Sequence, residues 1–152
     1  MRFLEDFTAG ERFETPDVEV TADAIVAFAR DFDPQPFHTD HAAARDSVFG
    51  DLAASGWHTA ALTMRLWVDH GPAVSGGLIG LGVDELRWRP LRPGDRIRVS
   101  GEVLDVRRSQ SGAPRGVVRL RLRTLNDRDV EVLHMVSAIL VPSRRRGDLP
   151  VT

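Results

Sequence analysis

Two prolines, at positions 34 and 36, interrupt the chain directly after its first predicted helix. Proline holds its own φ at about −65° and pushes the residue before it out of the helical region. The helix that starts at Ala22, behind the N-cap Thr21, must therefore end near Phe32. The segment from Asp33 to His38 is then expected to be a stiff, non-helical loop with a carboxylate at one end and an imidazole at the other.

Asp33 and His38 are candidates for acid–base catalysis, because two proton-transfer groups on a short rigid connector are in position before a substrate arrives. Asp33 also stands at a helix C-terminus, where the helix dipole disfavours an anion and a compensating partner is needed. His38 is the nearest such partner. The alternative is a Pro-rich surface loop whose acid and histidine are only solvated or capping residues, and spacing alone does not decide between the two.

The strongest helical pattern lies further along, from the N-cap Ser55 to a stop at Gly71-Pro72. Its apolar residues recur with the 3.6-residue period and predict one buried stripe. The stripe consists of Trp57, Ala60, Ala61, Met64, Trp67 and Val68. A helix with so few charges is expected to lie in the core, with other elements wrapped around it.

The second half of the chain has the alternating pattern of β-strands. Predicted strands cover 79–88, with a phase slip near Asp84-Glu85, then 96–106, a strand from residue 118, and 130–141. We interpret these four strands as a meander, and we expect a further strand at 12–20. The elements predict a single α+β domain over residues 1–152, with the sheet wrapped about the long helix and a loose tail at 143–152.

Composition narrows the choice of partners. The formal net charge of −2 and the hydrophobic fraction of 42% do not indicate a protein that binds nucleic acid. No apolar run approaches the roughly 18 residues of a membrane span, and we expect no membrane association and a cytoplasmic location. The chain has no cysteine and no metal-ligand spacing of His, Asp or Glu, so neither a metal nor another cofactor is expected. The row Arg119, Arg121 and Arg123 is interpreted as a solvated strand face rather than a phosphate site.

The start of the long helix is a second candidate site. With Ser55 as N-cap, Gly56 and Trp57 fall in the first turn, where backbone N–H groups lack helical acceptors and the dipole favours anions. Glycine lets a ligand approach the backbone closely, so this turn could stabilise a thioester oxygen as it becomes enolate-like. The alternative is an ordinary capped helix start. His58 faces away from the apolar stripe and either lines a cleft or makes a polar contact.

Residues 22–32 and the following Asp33-Pro34-Gln35-Pro36-Phe37-His38-Thr39-Asp40 resemble the hydratase motif of the MaoC-like dehydratases, the (R)-specific enoyl-CoA hydratases. That motif reads Gly-Asp-x-Asn-Pro-(Leu/Ile/Val)-His. The resemblance continues at Phe49-Gly50, at Ser55-Gly56 and at 86–95, which is similar to the family's aromatic-x-x-Pro-(Val/Leu)-x-Pro-Gly-Asp strand and turn. It covers nearly the whole chain, from residue 7 to residue 141.

The resemblance implies a hotdog fold, in which an antiparallel sheet wraps a long helix and two copies pair their sheets as a homodimer. It also implies that Asp33 and His38 act on a water and on substrate protons, and that the Gly56 N–H, beside Ser55 and Trp57, holds the thioester oxygen. The expected reaction adds water to a 2-enoyl thioester or removes it from a 3-hydroxyacyl thioester. CoA or an acyl carrier protein would enter only as part of this small-molecule substrate.

Several positions depart from the family pattern. Phe32 replaces the glycine before the acid, Gln35 replaces the asparagine, and Trp57-His58 replace smaller or aliphatic residues. The candidates for the lining of the acyl pocket are Phe32, Gln35, Phe37 and His58. These departures bear on the substrate rather than on the reaction.

Two other functions fit the same fold. A hotdog thioesterase usually places a carboxylate on the core helix, and residues 59–68 contain neither Asp nor Glu, which disfavours that function. The other is a non-catalytic subunit that binds acyl thioesters. The intact pair Asp33 and His38 argues against that alternative, whereas the departures at Phe32 and Gln35 leave it open.

Overall fold

The computed structural model describes residues 1–144. After a short 3-10 turn at Leu4–Asp6, the elements are β1 (Arg12–Glu14), β2 (Val18–Glu19), α1 (Ala22–Phe32), α2 (Pro36–Thr39), α3 (His41–Arg45), α4 (Gly56–His70), β3 (Ile79–Trp88), β4 (Arg96–Arg108), β5 (Arg115–Asn126) and β6 (Glu131–Pro142). They form an α+β fold in which the 15-residue helix α4 lies against a curled antiparallel sheet of six strands. No helix within the described residues is long and apolar enough to cross a membrane.

The two longer helices begin and end where the sequence predicts. Thr21 caps α1 and Ser55 caps α4, each by accepting a hydrogen bond from a backbone N–H of the first turn. Helix α1 ends at Phe32 and α4 ends at His70. Both lengths follow from local chemistry, with a capping side chain at one end and a proline or glycine shortly after the other.

The non-helical loop after α1 is shorter than predicted. Pro36 occupies the first position of α2, a one-turn helix that contains His38. Proline suits this position because its φ is already helical and its missing N–H is not needed there. The predicted non-helical loop was expected to extend to His38, and this is wrong: the loop ends at Gln35. The Gln35 carbonyl accepts a hydrogen bond of 3.0 Å from the His38 N–H.

β3 occupies a different place in the sheet from the one predicted. The strand order is β1-β4-β5-β6-β3, with β2 also paired to β4, so β3 pairs with β6 and forms an edge. A meander would have placed β3 beside β4. The predicted phase slip near Asp84-Glu85 is confirmed by a register shift between Val83 and Glu85. The predicted strand at 12–20 is divided at Pro16 into β1 and β2, because proline cannot donate to the sheet.

The predicted apolar stripe of α4 is largely not the face that packs against the sheet. Trp57, Met64 and Val68 are 57%, 43% and 58% exposed. The buried face consists of His58, Thr59, Thr63, Leu66 and Trp67, and of these only Trp67 belongs to the predicted stripe. A hydrogen bond between the hydroxyls of Thr63 and Thr124 satisfies polar atoms on this face. Periodicity therefore identified residues that share a face of α4, but not whether this chain covers that face.

The predicted tail at 143–152 is anchored in its first two residues. The Ser143 N–H donates to the Pro114 carbonyl at 2.9 Å, and the Arg144 guanidinium donates to the Asp6 carboxylate at 2.7 Å. The other residues of the predicted tail, 145–152, lie outside the described part of the chain.

Candidate active site

Asp33 is the C-cap of α1, and its carboxylate reaches the first turn of α4. Its Oδ2 accepts a hydrogen bond of 2.7 Å from the hydroxyl of the fully buried Ser55. The dipole of α1 disfavours an anion at this end, whereas the N-terminus of α4 stabilises one. The compensation expected from His38 is therefore shared with Ser55 and with the start of α4.

His38 is held on both sides of its ring. Its Nδ1 lies 2.6 Å from the carbonyl oxygen of Ala53, which can only accept, so we assign a proton to Nδ1. Its Nε2 lies 3.5 Å from Oδ2 of Asp33. The residue is only 6% exposed and packs edge-on against Phe37, with ring centroids 4.6 Å apart. The imidazole is thus oriented toward the acid before any substrate binds.

Asp33, His38 and Gly56 border one cleft of about 260 Å³. The rest of its lining consists of Phe49, Ala54, Trp57, Trp88, Arg89 and Pro90. The Trp57 N–H donates to the Ser55 hydroxyl at 3.3 Å, but within the described residues the Gly56 N–H has no acceptor. A free N–H at a helix N-terminus beside a cleft can stabilise an oxyanion.

Trp88 and Arg89 are cleft residues that the sequence analysis placed in the family-like stretch 86–95 but did not predict as site residues. They enter the cleft because the end of β3 lies beside the start of α4, where the Ala54 N–H donates to the Leu91 carbonyl at 2.8 Å. The indole of Trp88 packs directly against Gly56. The available clue was the proline that follows Arg89, since it must end the strand and turn the chain.

The predicted pocket residues of the loop do not line the cleft formed by the described residues. Phe32 is 72% exposed, because each helical residue is rotated by about 100° from the next and Asp33 takes the inward position. Gln35 is exposed, and its carbonyl accepts a hydrogen bond from the Thr39 hydroxyl at 3.0 Å. Phe37 packs against His38 and the core. Their contribution to an acyl pocket stays a prediction.

His58 is buried against α1 rather than in the cleft. It is 6% exposed, and its ring stacks on Phe28 with centroids 4.7 Å apart. Its Nδ1 is buried without a hydrogen-bond partner among the described residues. Burial lowers the pKa of His58 below its ordinary value, so the imidazole is neutral at pH 7. His58 lies one turn after Ser55 on α4 but does not line the cleft.

Comparison with known proteins relates this site to a family. A sequence model of the MaoC-like domain matches residues 6–123, well over half of the chain. The Bacillus subtilis (strain 168) protein YdeM, itself described as uncharacterized, is 30% identical over 139 residues. The aligned region covers 91% of this chain and 97% of YdeM.

Solved structures agree with the sequence match. The MaoC-like dehydratase from Rhodospirillum rubrum is 48% identical, with a TM-score of 0.91 over 95% of this chain and 99% of that one. The (R)-hydratase PhaJ1 from Pseudomonas aeruginosa is 25% identical, with a TM-score of 0.73 over 99% of this chain and 94% of that one. These similarities confirm the predicted hotdog fold. The chain therefore belongs to the MaoC-like dehydratase family.

Proposed function

We propose that the chain is a hydro-lyase that adds water to a 2-enoyl thioester or removes it from a 3-hydroxyacyl thioester. The observation that carries the proposal is the 3.5 Å approach of Asp33 and His38 Nε2 in a cleft that also borders the free Gly56 N–H. The reaction needs a base, an acid and a donor at the carbonyl oxygen, which these groups supply. The absence of a separate cofactor and the cytoplasmic location stay predictions.

In the hydration direction, the thioester oxygen accepts a hydrogen bond from the Gly56 N–H. Asp33 takes a proton from a water molecule as the water oxygen bonds to C3, and the electron pair of the C2–C3 double bond moves toward the carbonyl as an enolate. Protonated His38 gives its Nε2 proton to C2, and the carbonyl re-forms. The proton on Asp33 then passes to His38, so one water is consumed and both residues return to their starting states.

Residues 53–55 orient both catalytic groups. The Ser55 hydroxyl donates to Oδ2 of Asp33, and Oδ1 has no hydrogen-bond partner within the described residues, so Oδ1 is free to receive the proton of water. The Ala53 carbonyl holds Nδ1 of His38, which leaves Nε2 for exchange with the substrate. A single short segment before α4 therefore presets the base and the acid relative to the Gly56 N–H.

Crotonyl-CoA and longer or branched enoyl-CoAs test the proposal directly, because hydration removes the absorbance of the conjugated thioester. Asp33→Asn and His38→Ala should each lower kcat/KM by about 10²- to 10⁴-fold, the usual contribution of a general acid or base. Asp31→Asn and His70→Ala are matched controls, since both residues are exposed and lie outside the cleft lining. The controls should retain wild-type activity.

The remaining outcomes of this assay either refute the proposal or identify one of the two alternative functions. A wild-type chain that hydrates none of the enoyl thioesters refutes the hydro-lyase, and full activity in both site variants refutes the roles of Asp33 and His38. Tight binding of acyl-CoA without turnover would identify the alternative, a non-catalytic acyl-thioester-binding subunit. Release of free CoA would identify a thioesterase.

We also propose that the chain forms a homodimer through β3 and the exposed face of α4. β3 is an edge strand of ten residues, and its Ile79, Leu81 and Val83 are about half exposed. An unpaired edge with apolar side chains needs cover, and two copies of β3 related by a twofold axis would provide it. Sedimentation should give twice the chain mass of 16.8 kDa, and Leu81→Lys should shift the protein to monomer. A monomeric wild-type chain would contradict the proposal.

A further inference from the structure

A second cavity, of about 640 Å³, adjoins the catalytic cleft at the end of β3. Its walls are residues 86–89, at the end of β3, and residues 131–134, at the start of β6. The two walls are neighbours in the sheet, where Trp88 pairs with Leu133. Trp88 and Arg89 line both cavities. The two cavities therefore meet at Trp88 and Arg89, and we call the second one the exit groove.

Arg89 has no carboxylate partner among the described residues, unlike the other charged groups of the exit groove. Arg87 pairs with Glu85 at 2.9 Å, and Glu131 pairs with Arg123. The carboxylates nearest the groove are thus already engaged. Arg89 is exposed and lines both cavities, and its guanidinium, without a partner among the described residues, is available to an anionic ligand.

The three arginines on β5 differ from Arg89, because each of them has a carboxylate partner. Arg119 is paired with Asp84 at 2.9 Å and Arg121 with Glu102 at 3.0 Å, as Arg123 is with Glu131. This row is therefore a charge-balanced face, in agreement with its interpretation from the sequence. Arg89 differs because its guanidinium donors make no hydrogen bond within the described residues, while its backbone N–H is fixed by a 2.8 Å hydrogen bond to the Val132 carbonyl.

We propose that Arg89 binds a phosphate of the carrier arm that bears the acyl thioester, and that the exit groove receives this arm. The inference rests on the proposed function, which places the thioester carbonyl at Gly56. CoA and acyl carrier proteins both present the acyl group on a pantetheine arm that ends in a phosphate. The arm must leave the small cleft, and the exit groove adjoins the cleft at Trp88 and Arg89. A planar guanidinium binds phosphate through two parallel hydrogen bonds.

Arg87 extends the same charged surface. It lies two residues before Arg89 and also lines the exit groove. Its ion pair with Glu85 is exposed, and exposed pairs are weak enough to exchange for a phosphate. CoA, which carries further phosphates beyond the one shared with acyl carrier proteins, could engage both arginines.

Binding of CoA, phosphopantetheine and pantetheine to the full chain, measured by calorimetry, tests the subsite without requiring turnover. The wild-type chain should bind the two phosphorylated compounds more tightly than pantetheine. In Arg89→Ala the ratio of these affinities should fall about tenfold or more, as expected for loss of hydrogen bonds to a charged group. Arg89→Lys should lose part of the ratio, because lysine keeps the charge but not the paired donors.

Arg115→Ala is the matched control. Arg115 is exposed and has no carboxylate partner among the described residues, and it pairs with Pro142 at the far end of β6. That position is nine residues from Leu133, or about 30 Å along the strand. The affinity ratio of this variant should equal that of the wild type.

If the affinity ratio is the same in Arg89→Ala and the wild type, the proposal that Arg89 binds a phosphate is refuted. A fall with both CoA and phosphopantetheine supports binding of the phosphate that CoA shares with acyl carrier proteins, whereas a fall with CoA alone supports binding of its nucleotide phosphates. A chain that shows Arg89-dependent CoA binding, but hydrates neither crotonyl-CoA nor the longer and branched enoyl-CoAs, supports the phosphate subsite and refutes the proposed reaction.

Discussion

Replacing Gly56 by alanine would drive a methyl group into the indole of Trp88. The new Cβ would lie 2.2 Å from Cε2 and 2.3 Å from Cδ2 of that ring. Non-bonded carbon atoms pack at about 3.5–4.0 Å, so the indole would have to retreat by more than about 1 Å. Trp88 also packs edge-on against Trp57, with ring centroids 5.0 Å apart, so the displacement reaches both aromatic walls of the cleft.

The expected cost in stability is modest, and the expected cost in activity is larger. Overpacking costs about 1–3 kcal/mol, and the better helix propensity of alanine offsets up to about 1 kcal/mol of it. Trp88 is 41% exposed and can rotate outward, so we expect a net loss of about 1–2 kcal/mol and a fall in Tm of about 2–8 °C. Obstructing the Gly56 N–H, which we propose holds the carbonyl oxygen, should lower kcat/KM by about 10²-fold.

Thermal unfolding and the crotonyl-CoA assay measure the two effects separately. Gly101→Ala is the control, because its Cβ would lie 2.3 Å from the buried Trp67, far from the cleft. It should lose more stability than Gly56→Ala while the folded protein keeps its activity. In Gly56→Ala/Trp88→Leu the smaller side chain removes the clash, so the double variant should be more stable than the sum of the single changes by about 1 kcal/mol. Additive effects, or wild-type Tm and turnover in Gly56→Ala, would refute the packing argument.

Three further predictions concern other parts of the chain. Ser55→Ala should lower kcat about 10- to 100-fold and the free energy of unfolding by about 1 kcal/mol, because this hydroxyl orients Asp33 and caps α4; wild-type kcat would contradict it. His58→Leu should raise the free energy of unfolding by about 1 kcal/mol at pH 7, because Nδ1 has no partner among the described residues. Since burial lowers the pKa of His58, the unfolded wild-type chain takes up the proton first, and the advantage of the leucine variant in urea unfolding should grow as the pH falls from about 7 to 5; parallel pH profiles would rule this out. Burial raises the pKa of Glu5, but hydrogen bonds led by that from the Ser143 hydroxyl outweigh this effect and bring the pKa from 4.5 to about 2. The stability that this carboxylate contributes is present above its unfolded pKa and is lost as the pH falls toward 2, so Glu5→Gln should flatten acid unfolding in that window, and an unchanged acid profile would count against the contact.

The segment from Asp33 to His38 shows how much of the local structure can be predicted from the sequence. The end of α1 at Phe32, the C-cap at Asp33 and the start of α4 behind Ser55 all follow from capping residues and prolines that act within one turn. The error in this region, the helix α2 from Pro36, arose because proline stops a helix before it and can also start one after it.

The burial of the faces of α4 could not be predicted from the sequence pattern alone. Periodicity correctly grouped Trp57, Met64 and Val68, but they are exposed. The buried face includes Thr63, whose hydroxyl is satisfied by a hydrogen bond to Thr124. A pattern records which residues share a side of a helix, and burial depends on what is brought against that side. Here the sheet covers one side of α4, and we attribute the other to a second copy of the chain.

The sequence by itself determined the ends of the long helices, the register shift in β3 and the pair Asp33 and His38, because each depends on neighbours a few residues away. Only the tertiary structure decided that β3 pairs with β6, that Ser55 reaches Asp33 across 22 positions, and that Arg89 lies at the cleft. The physical reason is that alternating apolar strands are nearly equivalent as partners, so their order depends on how the whole chain closes around its core.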